Sequence, residues 1–191
     1  MFEQPENQPS LDSQIWTAYK KSFARLEVPV KTILLKEGEI AAKLFLIEKG
    51  CIRIWHNDDG RDITCQFFFE NSFVSSIESL KKDIPSPVTI ETIEPSVIWW
   101  IDKKDFNQVI NEIKGVPKLL DLLIDGLFER TFDYIKYFST YIRDSPEQRY
   151  LNLIRDRPQI VQRVPQHYIA SYLGITSVHL SRIRGNLAKR K

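Results

Sequence analysis

The spacing of apolar residues changes along the chain, and each spacing predicts a different kind of structure. Residues 10–26 carry apolar side chains at steps of three and four, from Ile15 to Leu26, which predicts an amphipathic helix. From Val28 the apolar residues fall instead into short β-branched and aromatic runs that are separated by turn residues. Asp59-Gly60, between two such runs, is typical of a two-residue hairpin. Strands this short and numerous predict an antiparallel sandwich or barrel.

Helical spacing returns after the strands, in a short helix and then a long one. Asp102 is suited to cap the short helix, which would run to about Asn111, and Pro117 is suited to begin the long one. The long helix carries residues spaced alternately by four and three, here called the heptad seam: Leu120, Ile124, Leu127, Thr131, Tyr134, Phe138 and Tyr141. A heptad seam predicts pairing with the same helix of a second copy. A helix that packs on its own barrel is the alternative, and a second apolar stripe at Leu119, Leu123 and Phe128 allows both.

Three further helices are predicted after Asp144-Ser145-Pro146, where the long helix ends and we place a domain boundary. The first covers residues 146–157, the second begins at Pro165, and Thr176 caps the third, which runs to about Lys189. Ala170 is small enough for a close helix crossing, and Gly174 suits a left-handed turn. These features predict a helix-turn-helix, with a helical hairpin of another purpose as the alternative.

The third helix has an outward face with the chemistry to contact DNA. Arg182 is the strongest candidate for reading a base, because arginine can form two hydrogen bonds with guanine, and Ser177 and Val178 are weaker candidates. Other residues, including Arg190, are expected to contact phosphates, although each could equally be a solvated surface residue. The predicted DNA-binding residues are Thr176, Ser177, Val178, His179, Ser181, Arg182, Arg184 and Lys189.

Charge is distributed unevenly, which supports the same interpretation. The net charge is only +2, but residues 143–191 contain ten lysines and arginines against three acidic residues. Contact with phosphates would require such a basic domain, since each neutralised phosphate releases counterions; a solvated basic tail is the alternative. No apolar run is long enough to span a membrane, and the acidic, polar N-terminus does not fit a signal peptide. We therefore expect a cytoplasmic protein. Cys51 and Cys65 are expected to be core thiols.

The order of these elements resembles the Crp/Fnr family of bacterial transcription regulators. The most specific motifs are LKEGEIAAKLFLIEKGCIRIW at residues 35–55 and YIASYLGITSVHLSRIR at residues 168–184. The resemblance implies an α+β fold with an antiparallel, jelly-roll-like β-roll and flanking helices in residues 1–116. It also implies a dimerisation helix at residues 117–143 and a DNA-binding helix-turn-helix domain at residues 144–191. The sequence departs from the family after the third helix, where we expect a reduced or absent wing. The implied partners are duplex DNA, a second copy of the chain and RNA polymerase.

The effector site of this family is altered here. Members that bind cyclic AMP hold the ribose with a glycine-glutamate pair and the phosphate with an arginine-serine pair. Ser75 and Ser76 fall at the first pair and Pro85-Ser86 at the second, so the charge-assisted contact to phosphate is lost. Cyclic AMP is therefore not expected as the effector. Ser75, Ser76, Ser79 and Ser86 could form a pocket for a smaller or neutral ligand, or could be ordinary turn and surface serines.

No cofactor is expected. The N-terminal cysteine cluster that holds an iron–sulfur centre in some family members is missing, and His56, His167 and His179 lack a second soft ligand at suitable spacing. An enzyme of the cupin type would need several histidines and a carboxylate inside the barrel, and only His56 falls there, so we expect no enzyme. The second candidate function is a ligand-binding regulatory or scaffold protein whose C-terminal module binds protein or RNA. Affinity for duplex DNA that falls steeply with salt would distinguish the two functions.

Overall fold

The first described segment differs from the sequence prediction. The structure is a computed structural model that describes residues 19–190, apart from the side chain of Leu122, so residues 10–18 of the predicted helix lie outside it. Lys20–Ser22 form a single 3-10 turn, and Ala24–Val28 form strand β1. The prediction of a helix as far as Leu26 is therefore wrong. Strand β1 pairs along its whole length with a later strand, Leu26 opposite Ile98, and this pairing satisfies its main-chain groups better than an isolated helical turn would.

Eight strands form two four-stranded sheets within residues 19–190. After β1 they are β2 (Ile33–Leu35), β3 (Lys43–Lys49), β4 (Ile52–Asp58), β5 (Arg61–Phe68), β6 (Phe73–Val74), β7 (Thr89–Thr92) and β8 (Ser96–Asp102). One sheet has the order β1-β8-β3-β6 and the other β2-β7-β4-β5. The pairings of β8 with β1 and β3, of β3 with β6 and of β2 with β7 are antiparallel. The predicted antiparallel β-roll is confirmed.

The roll has a packed apolar core. Ile47, Ile52, Val74, Ile90 and Ile98 are completely buried in it. The turns fit the residues found there: Asp59 and Gly60 join β4 to β5 with φ of 49° and 85°, so the predicted hairpin is confirmed. Gly50 is needed at the corner between β3 and β4, where φ is 116° and an added Cβ would overlap the side chain of Ser96.

The two cysteines have different surroundings. Cys51 is completely buried, as expected, but Cys65 is exposed, so the prediction of a core thiol is wrong for Cys65. Strand β5 lies at the edge of its sheet, and Cys65 is the exposed residue on a face that it shares with the half-buried Ile63 and the buried Phe67. A residue on an edge strand is buried only where other residues pack against its side chain, so an apolar run on such a strand does not show that every residue in it is buried.

The helices follow the predicted boundaries closely after Asp102. They are α1 (Ile77–Lys82), α2 (Lys103–Lys114), α3 (Pro117–Arg143), α4 (Pro146–Asp156), α5 (Pro158–Arg163), α6 (Gln166–Tyr172) and α7 (Ser177–Lys189). Helix α2 is one turn longer than predicted, and the short helix α5 was not predicted. Among the described residues no helix is long and apolar enough to cross a membrane.

The chain divides into two compact units. The first contains residues 19–54 and 67–131, which include most of the roll. The second contains residues 132–190 together with residues 55–66, which are the tip of the β4–β5 hairpin and are called the hairpin segment below. The second unit has its own buried residues, among them Tyr150, Ile160, Ile169 and Leu180.

Candidate nucleic-acid interface

Helices α6 and α7 are joined by a short turn with the geometry that the sequence indicates. Gly174 has a φ of 66°, a left-handed conformation that side chains other than glycine resist. The turn is closed by main-chain hydrogen bonds from Gly174 N to Ser171 O at 2.9 Å and from Ile175 N to Ala170 O at 3.0 Å. Ala170 is buried, as a close helix crossing requires. The segment from Gln166 to Lys189 is called the α6–turn–α7 segment below.

Helix α7 is held by its cap and by its inner face. The Thr176 hydroxyl accepts a hydrogen bond from the main-chain N–H of His179 at 3.1 Å, so Thr176 is the N-cap, as predicted. Leu180 and Ile183 are buried on the side that faces the rest of the second unit. Because the Thr176 hydroxyl is engaged in capping, this side chain positions the helix in the structure.

The outward face of α7 is exposed. Every residue of the predicted DNA-binding set is exposed, and Val178 is 62% exposed although it is apolar. Gly185 lies on the same outer side, and an added Cβ there would meet nothing within 4 Å. The structure therefore brings these residues together on one open helical surface.

The arginines of the second unit fall into two groups. Those outside α7 bind groups of their own chain: Arg143 binds Asp144, Arg149 binds main-chain carbonyls, Arg155 binds Asp156, Arg157 contacts the Tyr172 hydroxyl, and Arg190 binds Glu147. Arg190, expected to contact phosphate, thus has a carboxylate partner at 2.6 Å. Within residues 19–190, no hydrogen bond or ion pair engages the side chains of Arg182, Arg184 and Lys189. These cations are available to a ligand.

A cluster of tyrosines and one arginine holds the turn between α6 and α7. The Tyr137 hydroxyl donates to the Tyr172 carbonyl at 3.1 Å, and the two rings stack with centroids 4.9 Å apart. Arg149 donates to the Leu173 carbonyl at 2.9 Å, and its guanidinium carbon lies 4.7 Å from the centroid of the Tyr141 ring. Burial raises the pKa of Tyr137 well above its ordinary value, so this hydroxyl keeps its proton and remains a donor.

The serines of the predicted effector pocket are buried in the first unit. The Ser75 hydroxyl donates to the Lys43 carbonyl at 2.8 Å, and the Ser86 hydroxyl donates to the Val88 carbonyl at 2.7 Å. Ser79 donates to the Ile84 carbonyl and accepts from the N–H of Ala41. Ser76 is buried at the N-terminus of α1 and makes no side-chain capping bond. The hydroxyls of Ser75, Ser79 and Ser86 thus satisfy main-chain groups of the first unit.

An ion pair inside the roll was missed by the sequence reasoning. Arg53 on β4 is 1% exposed, and its Nη2 lies 2.8 Å from Oε2 of Glu91 on β7, which is 8% exposed. The alternation of Ile52, Arg53 and Ile54 places arginine on the opposite face of β4 from its apolar neighbours. The sequence does not indicate that the face of β4 that carries Arg53 is buried as well as the face that carries Ile52. Among the described residues, no three metal-ligating side chains lie together as a metal site would require.

The heptad seam of α3 is only partly exposed. Ile124, Leu127, Tyr134 and Phe138 are exposed, whereas Leu120 and Tyr141 are half-buried. The Tyr134 hydroxyl donates to Oε1 of Gln66, and Tyr141 packs against Tyr137 and Arg149 of its own chain. The most exposed apolar residues lie slightly further around the helix and are called the apolar stripe: Ile124, Leu127, Phe128, Phe132, Ile135, Phe138 and Ile142.

Comparisons with known proteins agree with this architecture. Residues 25–112 match the family model of the cyclic nucleotide-binding domain. No curated protein sequence matches the chain. Similar solved structures include the c-di-GMP responsive global regulator CLP of Xanthomonas campestris, with a TM-score of 0.76 at 17% identity over 94% of this chain and 93% of that one. A mutant of CooA from Carboxydothermus hydrogenoformans has a TM-score of 0.73 at 15% identity, over 96% and 86% of the two chains.

A third structure extends the same agreement. FixK2 of Bradyrhizobium japonicum has a TM-score of 0.68 at 14% identity, over 88% of this chain and 85% of that one. The TM-scores show that these proteins share the fold of this chain. Sequence identities of 14–17% do not show that they share its activity. The match to the cyclic nucleotide-binding domain covers residues 25–112, and the chain shares the α+β fold of these three solved structures.

Proposed function

We propose that the protein is a homodimeric, sequence-specific DNA-binding transcription regulator of the Crp/Fnr type. The observation that carries the proposal is the outer face of α7, where Arg182, Arg184 and Lys189 are exposed and unengaged within the described residues. The neighbouring arginines of the second unit bind their own chain, so the basic residues left for a ligand are concentrated on one helix. A helix with such a face fits the major groove of duplex DNA.

The apolar stripe supports the dimer. Phe138 is 67% exposed and Ile142 is 75% exposed, and a row of large apolar side chains in water costs free energy unless a partner covers it. Its residues recur along α3 at steps close to a heptad, so the same helix of a second copy is a suitable cover. A two-fold dimer would present two α7 helices to two half-sites of a palindromic operator.

The proposed regulator does not use cyclic AMP as its effector. Pro85 stands where an arginine would grip the cyclic phosphate, and the Ser86 hydroxyl is bonded to the main chain of Val88. The buried arginine of the roll, Arg53, is bound to the Glu91 carboxylate. A cyclic phosphate would therefore have to displace contacts already made within the protein.

Selection from a random duplex library tests the DNA-binding proposal. The purified protein should enrich a palindromic sequence, and its affinity for that duplex should fall steeply with salt. Arg182→Ala should cost about 1–3 kcal/mol, mostly at one base position of each half-site, because it removes a bidentate contact to a base. Lys189→Ala should weaken binding to all sequences and lower the salt slope by about 1, because it removes a phosphate contact.

A matched control is the exposed Arg155, which is paired with Asp156 outside α7. Arg155→Ala should leave both the selected sequence and the salt slope unchanged. The proposal is wrong if the protein enriches no duplex. It is also wrong if the Arg182→Ala variant has the same base preference as the wild type at every position of the half-site. Binding of a protein or an RNA in place of duplex DNA would then favour the scaffold function.

A further inference from the structure

Ser171 on α6 forms hydrogen bonds with the hairpin segment. The Ser171 hydroxyl accepts a hydrogen bond from the main-chain N–H of Thr64 at 2.9 Å and donates one to the main-chain carbonyl of Asp62 at 2.7 Å. One hydroxyl can make both bonds, because it has one proton and two lone pairs. These two bonds are called the Ser171 bridge below.

The position of β5 explains why a serine is suited to this contact. Strand β5 lies at the edge of its sheet, and edge strands present unpaired main-chain groups. The N–H of Thr64 and the carbonyl of Asp62 are two residues apart on β5, so they point from the same side of the strand. Ser171 supplies the acceptor and the donor that a neighbouring strand would have supplied. The bridge thus satisfies the edge of β5 and attaches it to α6.

Two further contacts connect the same elements to α3. The Tyr134 hydroxyl donates to Oε1 of Gln66 on β5 at 2.5 Å. The Tyr137 hydroxyl donates to the Tyr172 carbonyl on α6 at 3.1 Å. Strand β5, α3 and α6 are therefore joined pairwise, and α6 is anchored both to the long helix and to the hairpin segment.

We propose that Ser171 is a positioning residue for DNA recognition: the Ser171 bridge holds α6, and with it α7, in the orientation that binds a duplex. This inference rests on the proposed function and adds to it a role for the hairpin segment. Helix α7 follows α6 through the tight turn at Gly174, so the direction of α7 depends on the placement of α6. Loss of the bridge would let the α6–turn–α7 segment take several orientations, and only a fraction of the molecules would be competent to bind.

The test uses the full chain with Ser171→Ala, Ser171→Thr and the control Ser22→Ala, which removes a half-buried hydroxyl from the first unit. Alanine favours helix, so Ser171→Ala does not weaken α6 itself. Hydrogen exchange measured by NMR reports on the Thr64 amide, and fluorescence anisotropy reports affinity for the selected duplex.

In Ser171→Ala we expect the Thr64 amide to exchange about 10-fold faster, because its acceptor is gone. The duplex should bind about 3- to 10-fold more weakly, which corresponds to the net contribution of about one neutral hydrogen bond to the binding-competent orientation. Ser171→Thr keeps the hydroxyl and should restore both values, and Ser22→Ala should change neither.

Two results would overturn the proposal. An unchanged exchange rate at Thr64 would show that the bridge does not protect this amide, and faster exchange with wild-type affinity would show that the bridge does not position α7. Failure of the wild type to bind any duplex would instead refute the proposed function, and the exchange rates would still show whether the bridge forms.

Discussion

At the scale of the residue, the buried ion pair between Arg53 and Glu91 affects the stability of the roll. Taking two charges out of water is costly, and their attraction offsets that cost only while both partners are present. Here the two side chains are almost completely buried, with a contact of 2.8 Å between them. The pair joins two neighbouring strands of one sheet, and stability depends on keeping both charges.

Glu91→Gln tests this dependence. It preserves the shape of the side chain and removes its charge, which leaves the Arg53 charge buried without its carboxylate, so we expect a loss of about 3 kcal/mol in the free energy of unfolding. Urea titration followed by tryptophan fluorescence measures the change. The matched control is Glu78→Gln, which breaks the exposed pair of Glu78 with Lys82 and should cost less than about 0.5 kcal/mol. Equal losses in the two variants would show that burial of the Arg53–Glu91 pair is not decisive.

At the scale of the element, the sequence predicts best where local chemistry decides the structure. Thr176 caps α7, Pro117 begins α3, and Asp59-Gly60 joins two strands, because each residue favours its conformation without help from distant parts of the chain. The same holds for the predicted DNA-binding face, whose residues are exposed because buried residues occupy the opposite side of the same helix.

The elements that sequence reasoning missed depend on distant partners. Residues 24–28 have helical spacing, but pairing with β8 makes them a strand. Helix α5 has only six residues, too few for a periodic pattern, and Ile160 anchors it by being fully buried. Tyr134 and Tyr141 fit the heptad seam by spacing, yet tertiary contacts with Gln66 and with Tyr137 determine where their side chains lie. The partners of these residues are distant in sequence, so local spacing does not reveal them.

Two glycines of the α6–turn–α7 segment give opposite predictions for the same substitution. Gly185 lies within α7 and an added Cβ meets no other atom within 4 Å, so Gly185→Ala should stabilise the protein by about 0.5–1 kcal/mol. Gly174 has a φ of 66°, so Gly174→Ala should destabilise it by about 1 kcal/mol or more. Thermal unfolding followed by circular dichroism measures both. A fall in melting temperature for Gly185→Ala, or none for Gly174→Ala, would contradict the described backbone of this segment.

At the scale of the whole molecule, two kinds of exposed residues lie on two different helices. The outer face of α7 is basic and polar, apart from Val178, whereas the apolar stripe of α3 is large and hydrophobic. Phosphates and base edges suit the first surface, and only another apolar surface suits the second. If both are occupied as proposed, DNA binding and self-association involve different residues and can be disrupted separately.

Phe138→Asp tests that separation. Phe138 is 67% exposed near the C-terminal end of the apolar stripe, and an aspartate there would place two like charges in the proposed interface. We expect the dimer dissociation constant to rise at least about 30-fold, as for loss of an interface hot spot. Sedimentation velocity measures the change. Because its α7 face is intact, the variant should still bind a single half-site weakly. It should lose the additional affinity that a dimer gains from binding two half-sites.

The control Asp133→Lys changes an exposed charge elsewhere on α3 and should leave the dimer unaffected. A monomeric wild type, or a Phe138→Asp variant that sediments as the wild type does, would show that a second copy does not cover the stripe.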